Sequence, residues 1–303
     1  MRVPFVTADV FTDRTFGGNP LVVFPDARAI DPALMQPIAR EFNHSETTFV
    51  LPPDDPAHTA RVRIFTPGRE LPFAGHPTIG TAHVLATTGA IALTGDVTRI
   101  VFEELAGPVP VTIRTKDGTV DYCQLTAARA PEIVPEPPPR ERLAAALSLP
   151  PHAITTGAWS PEIMSCGTPF TFVPLVDRAA VAAARLKLEV WDEVFAGRAS
   201  AEVFLFAMEG ERRGSDVHAR MFAPKLGVAE DPATGAAAAA LAGYLGLRDA
   251  RPGGALRWVV EQGFEMGRPS IVEVEADKEN GRVVRSRVGG CSVTVTEGSF
   301  CLP

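Results

Sequence analysis

Short apolar runs alternating with polar residues dominate the 303-residue chain, and most have the period of strands rather than helices. Residues 3–11 alternate, 12–20 (TDRTFGGNP) form a turn-rich loop, and 21–24 resume a strand, which predicts a hairpin with a glycine-rich tip. Asp31-Pro32 predicts a capped helix running to about Phe42, with Asn43 as a left-handed stop. A β-prone run, TTFVLP, follows Glu46, and 61–65 read as a strand delivering loop 67–73. Beyond Gly89 the pattern turns β-rich at 99–103, 109–115 and 119–125. Residues 131–139, with EPPP inside, read as an extended connector. The second half predicts helices over 140–149 and 178–187 and strands over 170–176, 201–208 and 218–222. It closes in strands at 271–276, 282–288 and 291–295, the last expected to pair back with the first lobe.

Two stretches break this rhythm, FAGHPTIGTAHVL from Phe73 and AEDPATGAAAAALAGYL from Ala229. They carry almost no charge on any face, and a helix apolar all round is a buried one. Set His76 over Asp231 and the two share one grammar: Pro77 or Pro232 next, Gly80 or Gly235 four residues on, then small apolar residues. Their flanks agree as well, Arg63-Ile-Phe-Thr-Pro67 before one and Arg220-Met-Phe-Ala-Pro224 before the other. Alone, Asp-Pro at a helix start is merely a cap. Repetition over half the chain predicts a duplicated lobe instead. His76 and Asp231 are then expected as N-caps, with proline at the first helical position. Each helix N-terminus offers unpaired N–H groups and partial positive charge, which suit a carboxylate. The expected architecture is α+β, with two pseudo-symmetric lobes, each a curved mixed sheet or barrel around a buried central helix. The predicted lobes are 1–117, completed by 288–303, and 118–287.

Composition narrows the function classes. Hydrophobic residues make up 46% and charged residues 21%, a globular balance. A net charge of −7 without a basic cluster speaks against nucleic acid and anionic membrane as partners. The start, MRVPFVTADVF, does not read as a signal peptide, and 236–247 is too short and alanine-rich to span a bilayer, so the expected location is the cytoplasm. Cys123, Cys166, Cys291 and Cys301 form no CxxC pair, which excludes a disulfide scaffold or cysteine zinc site. Cys166, in SCGTPF, has no recognisable base nearby and reads as a structural thiol. His83 shares a helix face with His76 but lacks a third ligand at metal spacing, so it reads as a packed histidine, and the remaining histidines form no cluster.

Glu46 is the strongest candidate for chemistry. Glutamate is depleted in strands, so this one is either on a solvated face or placed for use. Ser45 and Thr47 beside it offer hydroxyls.

The motifs GNPLVVF (18–24), NHSETTFV (43–50), RIFTPGRELPFAGHPTIG (63–80) and EDPATGAA (230–237) together resemble the phenazine-biosynthesis PhzF-like isomerase family, nearly end to end. That family has the diaminopimelate epimerase-like fold. The resemblance implies an isomerase without cofactor, a homodimer, and a small carboxylated substrate bound between the lobes. It implies Glu46 as the acid/base, with His76 and Asp231 as its catalytic companions. Asn19, Ser45, Gly75, Thr234, Gly235 and Ala236 are the implied substrate-binding positions. Two departures from relatives matter. Epimerases of this fold carry a cysteine at each helix start, where this chain has Gly75 and Asp231. PhzF-like members often have serine after the second Thr-Gly, where this chain has Ala236. An epimerase using Glu46 and Asp231, or a non-catalytic binder of small acids, are the alternative readings.

Overall fold

The computed structural model describes residues 1–303, the side chain of Leu226 excepted. Two compact units divide the chain, Met1–Ala128 with Val288–Pro303, and Arg129–Arg287. No described helix is long and apolar enough to cross a membrane.

In unit 1, β1 (Arg2–Val10) pairs antiparallel with β2 (Asn19–Phe24). Helix α1 (Pro32–Phe42) starts where Asp31 accepts the Ala33 N–H and stops at Asn43, which adopts the left-handed conformation. It returns the chain as β3 (Glu46–Leu51), parallel to β2. Strand β4 (Ala60–Phe65) runs antiparallel to β3, and β5 (Glu70–Leu71) folds back on β4. Then come α2 (Gly75–Thr87), β6 (Val97–Glu104) parallel to β4, and the antiparallel β7 (Gly107–Lys116) and β8 (Thr119–Thr126). The sequence predicts a boundary at 117/118, ahead of β8. The unit ends after β8 instead, because that strand pairs with β7 and packs on α2.

Unit 2 repeats the scheme. Strand β9 (Glu132–Val134) lies inside the stretch predicted as a plain connector. After α3 (Arg140–Ala146), β10 (Glu162–Ser165) pairs with β9 on one side and antiparallel with β11 (Pro169–Pro174) on the other. The helix predicted over 178–187 ends early, as α4 (Arg178–Ala183), and a further helix, α5 (Leu188–Phe195), follows beyond the predicted span. The break has a cause: the Arg185 and Lys187 N–H groups donate to Leu147 and Ala146 carbonyls rather than back along a helix. Strand β12 (Val203–Ala207) is parallel to β11, β13 (Val217–Ala223) is antiparallel to β12, and β14 (Val228–Asp231) folds back on β13. Helix α6 (Gly235–Arg248) then leads to β15 (Gly254–Gln262), parallel to β13, and to β16 (Ser270–Glu279), antiparallel to β15. The chain returns to unit 1 within β17 (Arg282–Gly290). Its last strand, β18 (Ser292–Cys301), lies along β1 from Arg2 opposite Cys301 to Val10 opposite Ser292.

The duplication extends to side chains. Arg63 makes a two-pronged contact with Glu70, Nε to Oε1 at 2.7 Å and Nη2 to Oε2 at 2.8 Å, and its guanidinium sits 5.0 Å from the Phe65 ring. Arg220 does the same with Glu230, at 2.7 and 2.9 Å, and sits 4.8 Å from Phe222. Such paired, planar contacts fix direction as well as distance. They tie each hairpin, β4–β5 and β13–β14, just ahead of its central helix.

Both central helices are buried nearly throughout, as an uncharged surface requires. Complete burial of Ile79, Val84 and Leu85 stabilises α2 by about 1.5–3 kcal/mol apiece before entropy is counted. Glycine lets the helix approach its sheet: a Cβ on Gly80 would meet Val10 Cγ2 at 2.5 Å and Leu21 Cδ2 at 2.6 Å.

Neither expected cap is a cap. The N-cap of α2 is Ala74, so His76 is the second helical residue and Pro77 the third. The N-cap of α6 is Thr234, and Asp231 ends the preceding strand. Proline at the third position costs no hydrogen bond, because the first four helical N–H groups have no intrahelical partner. Matched by helix start, Gly75 corresponds to Gly235 and His76 to Ala236, not to Asp231.

Candidate active site

Three elements of unit 1 bring three predicted residues together. Asn19 opens β2, Glu46 opens β3, and His76 lies in the first turn of α2. Parallel pairing puts Leu21 opposite Glu46, so both strands begin at one edge. Strand alternation then selects the face. Thr48, two residues after Glu46, reaches Thr81 of α2 at 2.8 Å between hydroxyls, whereas Phe49 packs on the other side against Phe24. Glu46 therefore points to the helix, not to a solvated face. Ser45, just ahead of it, is half-buried.

The contacts run in series. Asn19 Nδ2 lies 3.2 Å from His76 Nδ1, and His76 Nε2 lies 3.0 Å from Glu46 Oε2. An amide NH₂ only donates, so Nδ1 accepts and the neutral imidazole carries its proton on Nε2, facing the carboxylate. Yet Nε2 and Oε2, both buried, complete no hydrogen bond of good alignment. A close, misaligned, buried acid–imidazole pair is costly to keep unless a further group is meant to engage it. Side-chain exposure is 5% for His76 and 14% for Glu46, so the carboxyl is the member open to a visitor. Gly75 and His76 also begin a helix, where backbone N–H groups are unspent.

The start of α6 in unit 2 is organised differently. Thr234 Oγ1 donates to Asp231 Oδ2 at 2.5 Å. Gln262 completes the arrangement: its Oε1 accepts the Thr234 N–H at 3.1 Å and its Nε2 donates to the Asp231 carbonyl at 2.7 Å. Asp231 thus braces the turn into α6, with Gly235 and Ala236 as the first helical residues.

Several residues at these helix starts escape sequence reasoning. Gln262 is one, and Thr78 of α2 and Glu104 of β6 are two more, in contact at 2.5 Å. A signal for Glu104 exists: the alternation of β6 buries Thr98, Ile100, Phe102 and Glu104 on one face. His83 is buried in α2, and desolvation pushes its pKa down to about 4, as befits a neutral packed histidine. Burial pushes the Cys166 thiol up to about 12 and raises Cys123 further, so neither is poised as a thiolate. His218 is gripped by Glu261 at 2.7 Å and Glu265 at 2.8 Å.

Known proteins match this chain along its length. The model of the family described as phenazine biosynthesis-like protein matches residues 8–298. An uncharacterized isomerase of Mesorhizobium japonicum is 39% identical, with 98% of each chain covered. The trans-2,3-dihydro-3-hydroxyanthranilate isomerase of Pseudomonas aeruginosa is 35% identical, covering 97% of this chain and 98% of its own. Among solved structures, the Bacillus anthracis phenazine biosynthesis protein of the PhzF family superposes with a TM-score of 0.89, at 24% identity and complete coverage of both chains. A hydroxyproline epimerase from Agrobacterium vitis shares the fold, with a TM-score of 0.65 at 16% identity over 98% of this chain and 92% of its own. The fold is the diaminopimelate epimerase-like one, and the chain belongs to the phenazine biosynthesis-like (PhzC-PhzF) family, as an isomerase of PhzF type.

Proposed function

We propose that the protein relocates a proton on a small carboxylated metabolite, with Glu46 as the general acid/base and no cofactor. The observation that carries this reading is the buried Glu46 Oε2, 3.0 Å from His76 Nε2 and without an aligned hydrogen bond. Glu46 takes a proton from one carbon and returns it to another carbon of the same molecule. The step is redox-neutral and balances without a co-reactant. His76, oriented by Asn19, holds a polar group of the substrate or the Glu46 proton in transit. Gly75 and the first turn of α2 offer backbone N–H groups to charge that develops on the substrate. On the same reading Gly235 and Ala236 supply N–H groups for the substrate carboxylate from the turn that Thr234 holds, Ser45 a hydroxyl, and Asp231 a second polar or acid/base contact.

The Pseudomonas aeruginosa relative suggests a cyclic amino acid of the dihydro-hydroxyanthranilate class. Ala236 offers a backbone N–H but no hydroxyl, which separates this chain from relatives with serine there and makes a distinct member of that class the expected substrate. The reading takes the protein as a cytoplasmic homodimer without nucleic-acid or membrane partners.

The test is deuterium uptake in heavy water from a panel of small cyclic and acyclic carboxylates that includes trans-2,3-dihydro-3-hydroxyanthranilate, wild type beside Glu46→Gln. Label entering with wild type and lost with the variant supports the assignment. Label at a stereocentre without a shifted double bond favours epimerisation. Near-normal turnover by Glu46→Gln sinks it. Small-acid binding without any exchange favours a binding protein.

A further inference from the structure

The end of β6 and the end of β15 occupy the same place in their units. Arg61 stands opposite Glu103 in the β4–β6 pairing, and His218 opposite Glu261 in the β13–β15 pairing. Arg61 and His218 each lie two residues before the matched Arg63 and Arg220. The next residues, Glu104 and Gln262, are therefore counterparts, and both are buried. Gln262 acts through a neutral amide, which accepts from the Thr234 N–H with one atom and donates to the Asp231 carbonyl with the other. A carboxylate in the same role has acceptors only.

The contacts of Glu104 fit a protonated carboxyl. Thr78 Oγ1 lies 2.7 Å from the Ala74 carbonyl oxygen and 2.5 Å from Glu104 Oε1. A hydroxyl has one proton to give. The Ala74 carbonyl can only accept, and with the hydroxyl proton on it the set of contacts is complete when the carboxyl is protonated. The second, shorter contact then takes its proton from the carboxyl. Glu104 Oε2 is buried with no hydrogen-bond partner, which an ionised carboxylate could not sustain cheaply. Ala74 caps α2 and Thr78 is its fourth residue, so the link clasps the turn containing Gly75 and His76.

We infer that Glu104 is a neutral carboxylic acid that positions His76 by clasping the first turn of α2, the counterpart of the amide of Gln262 on α6. The inference rests on the reading of His76 as a partner of Glu46 for its functional meaning, but not for its chemistry. Burial pushes the Glu104 carboxyl up to about 8, and no charged side chain adds to or opposes it. The proton is therefore held through neutral pH. Above it, an uncompensated anion arises beneath the turn that carries His76.

Two measurements on the folded protein, both independent of turnover, test this. Infrared spectra in heavy water should show a protonated-carboxyl band at neutral pD that disappears in Glu104→Gln and shifts in Thr78→Val. The ¹⁵N resonances of the His76 ring should move with a midpoint near pH 8 in wild type and stay still through that range in Glu104→Gln, which keeps donor and acceptor. Absence of the band from wild type overturns the neutral acid. Identical His76 titrations in wild type and Glu104→Gln overturn the positioning role. A failure of the Glu46 reading shows elsewhere, as turnover retained by Glu46→Gln, and leaves both signals intact.

Discussion

Two carboxylates stand at matching places in the two units, and only one has an imidazole. The register that puts Thr47 opposite Phe65 in unit 1 puts Val203 opposite Phe222 in unit 2, so Glu46 corresponds to Glu202. His76, by helix start, corresponds to Ala236. Without an imidazole to face, Glu202 turns to its own backbone and accepts the Ala201 N–H at 3.1 Å. Glu46 keeps a buried oxygen free of aligned donors. The scaffold was duplicated, together with its arginine clamps, but the glutamate that opens the third strand faces a helix-start imidazole only in unit 1. Unit 2 uses the same helix start for hydrogen bonds among Thr234, Asp231 and Gln262.

The sharpest way to break this comparison is to neutralise each glutamate. Glu46→Gln should lower the proton-exchange rate by about 10³-fold, whereas Glu202→Gln should leave it roughly unchanged. Equal losses would make the units chemically equivalent.

A second contrast concerns stability. His218 and Arg61 are counterparts, but His218 is buried between two carboxylates, while Arg61 and its partner Asp54 are exposed. Removing one member of a buried pair strands the other, so His218→Ala should cost about 3 kcal/mol. Arg61→Ala should cost less than about 1 kcal/mol. Chemical denaturation of both variants decides. The two glutamates, working against desolvation, raise the His218 pKa from 6.5 to about 9. Its contribution is fully present below pH 6.5, declines as pH rises through about 9, and should be missing from the pH dependence of the alanine variant.

Third, Gly80→Ala gains helix propensity but drives a Cβ into Val10 and Leu21, so a net loss of about 1–2 kcal/mol is expected in thermal unfolding. No loss would show that β1 and β2 yield. The smallest effect expected is for Ala236→Ser. Restoring a hydroxyl should tighten KM for a hydroxyanthranilate-type substrate about five-fold, the worth of roughly one net hydrogen bond, with kcat unchanged.

Much of this is written in local sequence. The Asp31 and Asn43 ends of α1, the burial of both central helices and the packed state of His83 follow from capping chemistry and absent charge. Helix starts were less legible. His76-Pro and Asp231-Pro look alike on paper, yet α2 begins one residue before His76 and α6 begins four residues after Asp231. Proline is tolerated throughout the first turn, so it marks a helix start only to within a few residues.

The sequence by itself determined that the chain is duplicated, that each half is built round an uncharged helix, and that Glu46, His76 and Asn19 belong to family motifs. Periodicity and composition act locally, and they survive whatever the tertiary arrangement is. Only the tertiary structure decided which residues meet. Parallel pairing of β2 with β3 puts Asn19 and Glu46 at one strand edge beside His76. The β4–β6 and β13–β15 registers make Glu104 and Gln262 counterparts, although one is an acid and the other an amide. A buried glutamate reads in sequence like an exposed one. Desolvation, and the meeting of one hydroxyl with two oxygens, are properties of the packed molecule alone.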